Sequence, residues 1–149
     1  LVSSAAVPHY LLATDADWIV EQVGAALDGS DVRWTVARAG RSVRGAVARA
    51  VAGGTPPDIA ILDLQIGTMG GVAVCLDLRL EESAGRLPRI PVIMLLDRSA
   101  DVFLAQRPGA EGWLIKPLDP IRIRRAVRTV LAGGTVQEGV PEPNEVPSG

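Results

Sequence analysis

Apolar residues along this chain fall into five short runs, at about 9–14, 32–37, 58–64, 90–96 and 112–116, with stretches of helical spacing between them. Runs of this length, bounded by Gly, Pro and polar clusters, suit strands buried on both faces, as in a parallel sheet. After the first run, Asp17 is placed to cap a helix whose Ile19, Val20, Val23, Ala26 and Leu27 recur at intervals of three and four. Asp28-Gly29-Ser30-Asp31 stops it. From Ser42 to Ala52, Val43, Ala46, Val47, Ala50 and Val51 share a helical face, and Gly53-Gly54-Thr55-Pro56-Pro57 breaks that helix. Val72 to Glu82 reads as a third helix, with Val72, Leu76 and Leu80 expected to pack. A shorter fourth covers about Ser99 to Gln106 and ends before Pro108-Gly109. The last, about Pro120 to Ala132, offers Ile123, Val127, Val130 and Leu131 to a core and presents Arg122, Arg124, Arg125 and Arg128 elsewhere.

Strict alternation of strand and helix with short connections argues for an α/β fold: a parallel sheet covered on both faces through right-handed crossovers. Five such units fit a flavodoxin-like, doubly wound, five-stranded sheet of order 2-1-3-4-5 better than an eight-fold barrel. The reading divides the chain into an N-terminal extension at 1–8, one domain at 9–132 and a disordered, Pro-rich tail at 133–149. That tail contains Pro141, Pro143 and Pro147 and has no apolar period.

Composition narrows the function classes. With 149 residues, 48% hydrophobic and 21% charged, the chain has ordinary globular make-up. A formal net charge of −2 gives no long-range attraction to nucleic acid or to a membrane surface. No apolar stretch approaches the roughly 20 residues that span a bilayer. No basic segment leads into an apolar core at the amino end, so export is not expected. Cys75 is alone and cannot form an internal disulfide, which fits a reducing cytoplasm.

The candidate chemistry sits at the ends of the apolar runs. Asp15 follows the first, Asp63 closes the third and Lys116 closes the fifth. Open α/β sheets gather their ligands at the carboxyl ends of the strands. Two acids and a lysine on one rim point to a phosphoryl and divalent-metal site. Gly67, Gly70 and Gly71 follow the third strand and lack the GxGxxG spacing, so they do not form a dinucleotide loop. Neither a DxD phosphatase motif after a strand nor a flavin phosphate loop is present. His9 has no partner at metal spacing and reads as a plain surface or strand-edge residue. Cys75 and Met69 read as packing residues.

The chain resembles the receiver domain of bacterial two-component response regulators over about residues 9–132. The matching segments are LLATDADWIVEQV at 11–23, DIAILDLQIGTMGG at 58–71, IPVIMLL at 90–96 and WLIKPLDP at 113–120. LLDRSADVFLA at 95–105 also resembles a short, stand-alone actinobacterial type. The resemblance implies a CheY-like fold and a cytoplasmic phosphorelay. Asp63 would accept a phosphoryl group from the phosphohistidine of a sensor histidine kinase. Asp15, Asp63 and the backbone carbonyl of Gln65 would hold Mg²⁺, and Lys116 would pair with the phosphoryl oxygens beside a cis Lys116–Pro117 bond. Such a protein is no enzyme beyond self-catalysed transfer at its own aspartate. Its partners would be the kinase, a downstream protein and a second copy, met through the fourth helix, fifth strand and fifth helix. The arginine row of the last helix would either line that face or lie solvated. Direct DNA binding is not expected, because no reader such as a helix-turn-helix is present.

The chain departs from the family pattern at the site itself. Thr14-Asp15 stands where two adjacent acids are usual, which weakens a hard-cation site. Leu96 replaces the Thr or Ser whose hydroxyl meets the phosphoryl group, and Asp97 follows it, with a charge that would repel that group. Ser99 could supply the hydroxyl only if its loop folded back. Trp113 stands at the aromatic switch position. Two readings therefore stay open: a phosphoacceptor receiver, or a pseudo-receiver that binds proteins without phosphorylation.

Overall fold

The computed structural model describes residues 7–29 and 31–139. Its elements alternate as β1 His9–Ala13, α1 Asp17–Leu27, β2 Arg33–Ala37, α2 Val43–Ala52, β3 Ile59–Asp63, α3 Gly71–Ser83, β4 Val92–Leu96, α4 Val102–Gln106, β5 Gly112–Ile115, α5 Pro120–Leu131 and β6 Val136–Gln137. All strand pairings are parallel, in the order β2-β1-β3-β4-β5-β6. β1, β3 and β4 are buried along their whole length, as their unbroken apolar runs require.

Alternating side chains build two cores. Leu11, Ala13, Ala60, Leu62, Met94, Leu96 and Trp113 face α2, α3 and α4. Tyr10, Leu12, Ile59, Ile61, Ile93, Leu95 and Leu114 face α1 and α5.

Several expectations need correction. Sequence patterning predicts five strands and a fold that ends at 132; the sheet takes a sixth. After α5 the chain returns so that Val136 and Gln137 pair with Gly112 and Trp113, and Val136 N donates to Glu111 O at 3.2 Å. A two-residue strand carries no periodicity that could announce it. Residues 1–6 of the extension and 140–149 of the tail lie outside the described residues.

α3 is also rotated from its expected face. Val74, Cys75 and Leu78 are buried, whereas Leu76 and Leu80 are 45% and 66% exposed. In α5, Ala126 packs and Leu131 is exposed. Asp17 is the first helical residue rather than the cap, and it pairs with Arg38 on the surface at 2.7 Å. His9 is buried, its ring nitrogens 2.7 Å from Thr55 O and from Thr35 Oγ1. Cys75 packs as expected, and burial pushes its thiol up to about 11.

Gly71 lets the start of α3 close on the end of β3. A Cβ there would lie 2.4 Å from the carbonyl oxygen of Asp63, a backbone atom that cannot swing aside. Gly71→Ala should therefore push α3 off the end of β3 and cost about 1–3 kcal/mol of stability. The check is the urea midpoint of unfolding, which should fall with little change in slope.

Candidate functional site

Parallel register brings four strand ends to one rim. Ala13 pairs with Leu62, Asp63 with Leu95 and Leu96 with Ile115, so the residues one step further meet as well. Asp63 is the centre, with only 2% of its surface exposed. The Thr14 hydroxyl donates to Asp63 Oδ2 at 2.7 Å. Lys116 Nζ donates to Asp63 Oδ1 at 2.7 Å and to Asp97 Oδ1 at 2.8 Å. Gln65 N reaches the same Oδ1 only at 3.4 Å.

The Thr14 oxygen also accepts from Ala16 N at 3.1 Å, which leaves its single proton for Asp63 and ties the start of α1 to the site. A buried carboxylate is costly unless it is paired and hydrogen-bonded, and both conditions are met here. Burial depresses the Lys116 ammonium, but its hydrogen bonds and charges with Asp63 and Asp97 outweigh this and raise its pKa. The face of Trp18 lies 5.9 Å from the same nitrogen.

Of the residues singled out by sequence, Asp63 and Lys116 come into direct contact. Asp15 lies exposed on the rim, with Oδ2 accepting from Gly67 N at 3.0 Å. Gln65 is exposed, and Leu96 is fully buried in the core. Trp113 is buried, its indole N–H donating to Glu138 O at 2.7 Å. Ser99 lies beside Gly139, and its hydroxyl is not among the hydrogen-bond partners of Asp63. The Lys116–Pro117 bond is cis. Thr14 as a donor and Asp97 as an ion-pair partner are roles that sequence reasoning missed. Their signal was present, because each is a polar residue ending a strand adjacent to Asp63 or Lys116.

The side chains a magnesium ion would use, Asp15 and Asp63, are both partly engaged already. A hard cation needs several free oxygens. Here Asp63 accepts from a hydroxyl and an ammonium, and Asp15 accepts from the loop backbone. Among the described residues, no group of three His, Cys, Asp or Glu side chains converges.

Lys116→Met would leave Asp63 buried beside no cation, and breaking a buried pair in this way costs about 3 kcal/mol. Asp97→Asn acts on a carboxylate 39% exposed and should cost less than about 1 kcal/mol. The folded-state pKa of Lys116 is raised, so its contribution is complete below the unfolded value of 10.5 and is lost as pH rises through the folded value. Denaturation of both variants against pH should show a constant gap for Lys116→Met near neutrality that closes only in strong alkali.

The family described as response regulator receiver domain matches residues 11–128. Transcriptional regulatory protein CseB of Streptomyces coelicolor is 36% identical over 91 residues, 56% of this chain and 36% of that protein. The DNA-binding transcriptional activator DevR/DosR of Mycobacterium tuberculosis is 31% identical over 107 residues, 70% of this chain and 46% of its own length. The chain thus spans less than half of either relative. Among solved structures, chemotaxis protein CheY4 of Vibrio cholerae superposes with a TM-score of 0.66 at 23% identity, over 83% of this chain and 98% of that one. The signal receiver domain of a histidine kinase from Syntrophus aciditrophicus gives 0.66 at 25% identity, over 94% and 98%. With the family match running over residues 11–128 and the fold shared with these neighbours, the chain belongs to the response regulator receiver domain family.

Proposed function

We propose that this chain is a cytoplasmic signalling module of a two-component pathway, linked to a sensor histidine kinase and a downstream protein. Its receiver centre is held closed by its own side chains, and it works through protein contacts rather than by ready phosphorylation of Asp63. The observation that carries this reading is the contact of Asp97 with Lys116. Phosphoryl transfer depends on positioning and on cations that neutralise the transferred oxygens. Here the lysine that would do so is already shared by two carboxylates, at 2.7 and 2.8 Å. An incoming dianion would meet the Asp97 charge at close range. Its attack site is capped by Thr14, and Leu96 offers no hydroxyl. Trp113, whose aromatic position carries the conformational response in the family, is anchored to Glu138.

A second reading keeps Asp63 as phosphoacceptor. It is favoured by the direct Lys116–Asp63 pair at the end of β3.

Incubation with acetyl phosphate and Mg²⁺ followed by intact-mass measurement separates the two. The wild-type chain should show no gain of about 80 Da, the mass of one phosphoryl group. The double variant Leu96→Thr, Asp97→Ala should acquire it, and adding Asp63→Asn should remove it. A wild-type adduct that disappears with Asp63→Asn would overturn the closed-centre reading and establish the second.

A further inference from the structure

The outer edge of β5 carries more machinery than a two-residue partner strand needs. Lys116 N donates back to Leu96 O at 2.8 Å, so amides alternate along the strand and Ile115 N faces the outer edge. β6 pairs only with Gly112 and Trp113, which would leave that amide bare. The Glu138 side chain fills the place, with Oε1 accepting from Ile115 N at 2.9 Å.

Arg122 grips the same carboxylate. Its Nε donates to Oε2 at 2.8 Å, and its Nη2 contacts Oε1. Further donation from Arg122 to Ile115 O at 2.9 Å and to Pro117 O at 2.8 Å locks the guanidinium onto β5 and the turn after it. The Trp113 indole takes the Glu138 carbonyl. The edge therefore recognises an extended backbone, then a carbonyl, then a carboxylate.

Shape agrees with chemistry. A Cβ on Gly112 would crowd Val136 Cβ and O at 3.3 Å. Gly139 has φ +76° and a Cβ there would strike Ile115 Cδ1 at 2.8 Å, so only glycine lets the segment settle beside Ser99 and Val102.

We propose that the outer edge of β5 is a docking strip for an extended segment bearing a carboxylate, filled in cis by Thr135–Gly139. A partner protein engages the receiver by presenting such a segment in its place. This mode is strand addition, in which main-chain bonds supply affinity and the side-chain seat supplies specificity. The two-residue ladder holds little by itself, so most of what keeps the strap in place is the seat of Glu138, which a carboxylate on another segment can take over. The strap's advantage is its short tether to α5, which gives an effective concentration of about millimolar. The proposal is independent of whether Asp63 takes a phosphoryl group.

The test uses the full chain carrying Glu138→Gln, which keeps the shape of the strap and removes its charge. The probe is an end-capped, fluorescently labelled peptide of this chain's own residues 133–139, followed by its anisotropy. It should bind the variant at a concentration about ten-fold lower than the wild-type chain needs, because the cis competitor is weakened. The same labelled peptide with Glu138→Gln should bind neither chain. No binding, or equal binding of the two peptides, would overturn the proposal. Should the variant not fold, the wild-type chain titrated with both peptides at millimolar concentration decides: the Glu peptide alone binding supports the strip, and neither or both binding overturns it.

Discussion

Burying the Asp63 carboxylate at the end of the central strand sets the terms for the rim around it. A charge with so little solvent contact is tolerable only with a counter-charge and filled lone pairs. Thr14 supplies one hydrogen bond and Lys116 supplies another together with the charge. Lys116 is itself largely buried, and Asp97 satisfies it from the solvent side. The resulting chain, Thr14 to Asp63 to Lys116 to Asp97, ties the ends of β1, β3, β5 and β4 in turn. It links four strand ends across the rim and engages the carboxylate and ammonium at its centre.

Seen through that chain, the departures from the family pattern form one consistent set. An acid at position 14 would place a second carboxylate against Asp63 and call for a cation between them. Threonine donates a hydrogen bond there instead. Leu96 lies wholly in the core and brings no hydroxyl to the rim.

The sheet edge and the rim are one residue apart. Glu138 accepts from Ile115 N, and Ile115 immediately precedes Lys116. Whatever fills the outer edge of β5 therefore also restrains the strand that presents the lysine, while Trp113 joins the same edge to the core. The arginines of α5 divide accordingly. Arg122 belongs to this edge through Glu138 and Asp119, whereas Arg124, Arg125 and Arg128 remain on the exposed surface of the helix.

The sequence by itself determined the alternating elements, the parallel sheet and the placement of Asp63 and Lys116 on one rim. Each follows from apolar periodicity along the chain and from the way parallel strands align their carboxyl ends. Tertiary structure decided what periodicity cannot. Val72, Leu76 and Leu80 obey the same helical spacing as Val74 and Leu78, and packing of the latter pair against the sheet, with Gly71 close on the Asp63 carbonyl, decides between the two faces. His9 becomes a buried, bonded residue because Thr35 and Thr55, 26 and 46 positions away, close on its ring. Thr14, Asp97 and Glu138 took their roles in the same manner. The choice of a hydrogen-bond partner depends on register between strands, and no pattern read along one strand contains that information.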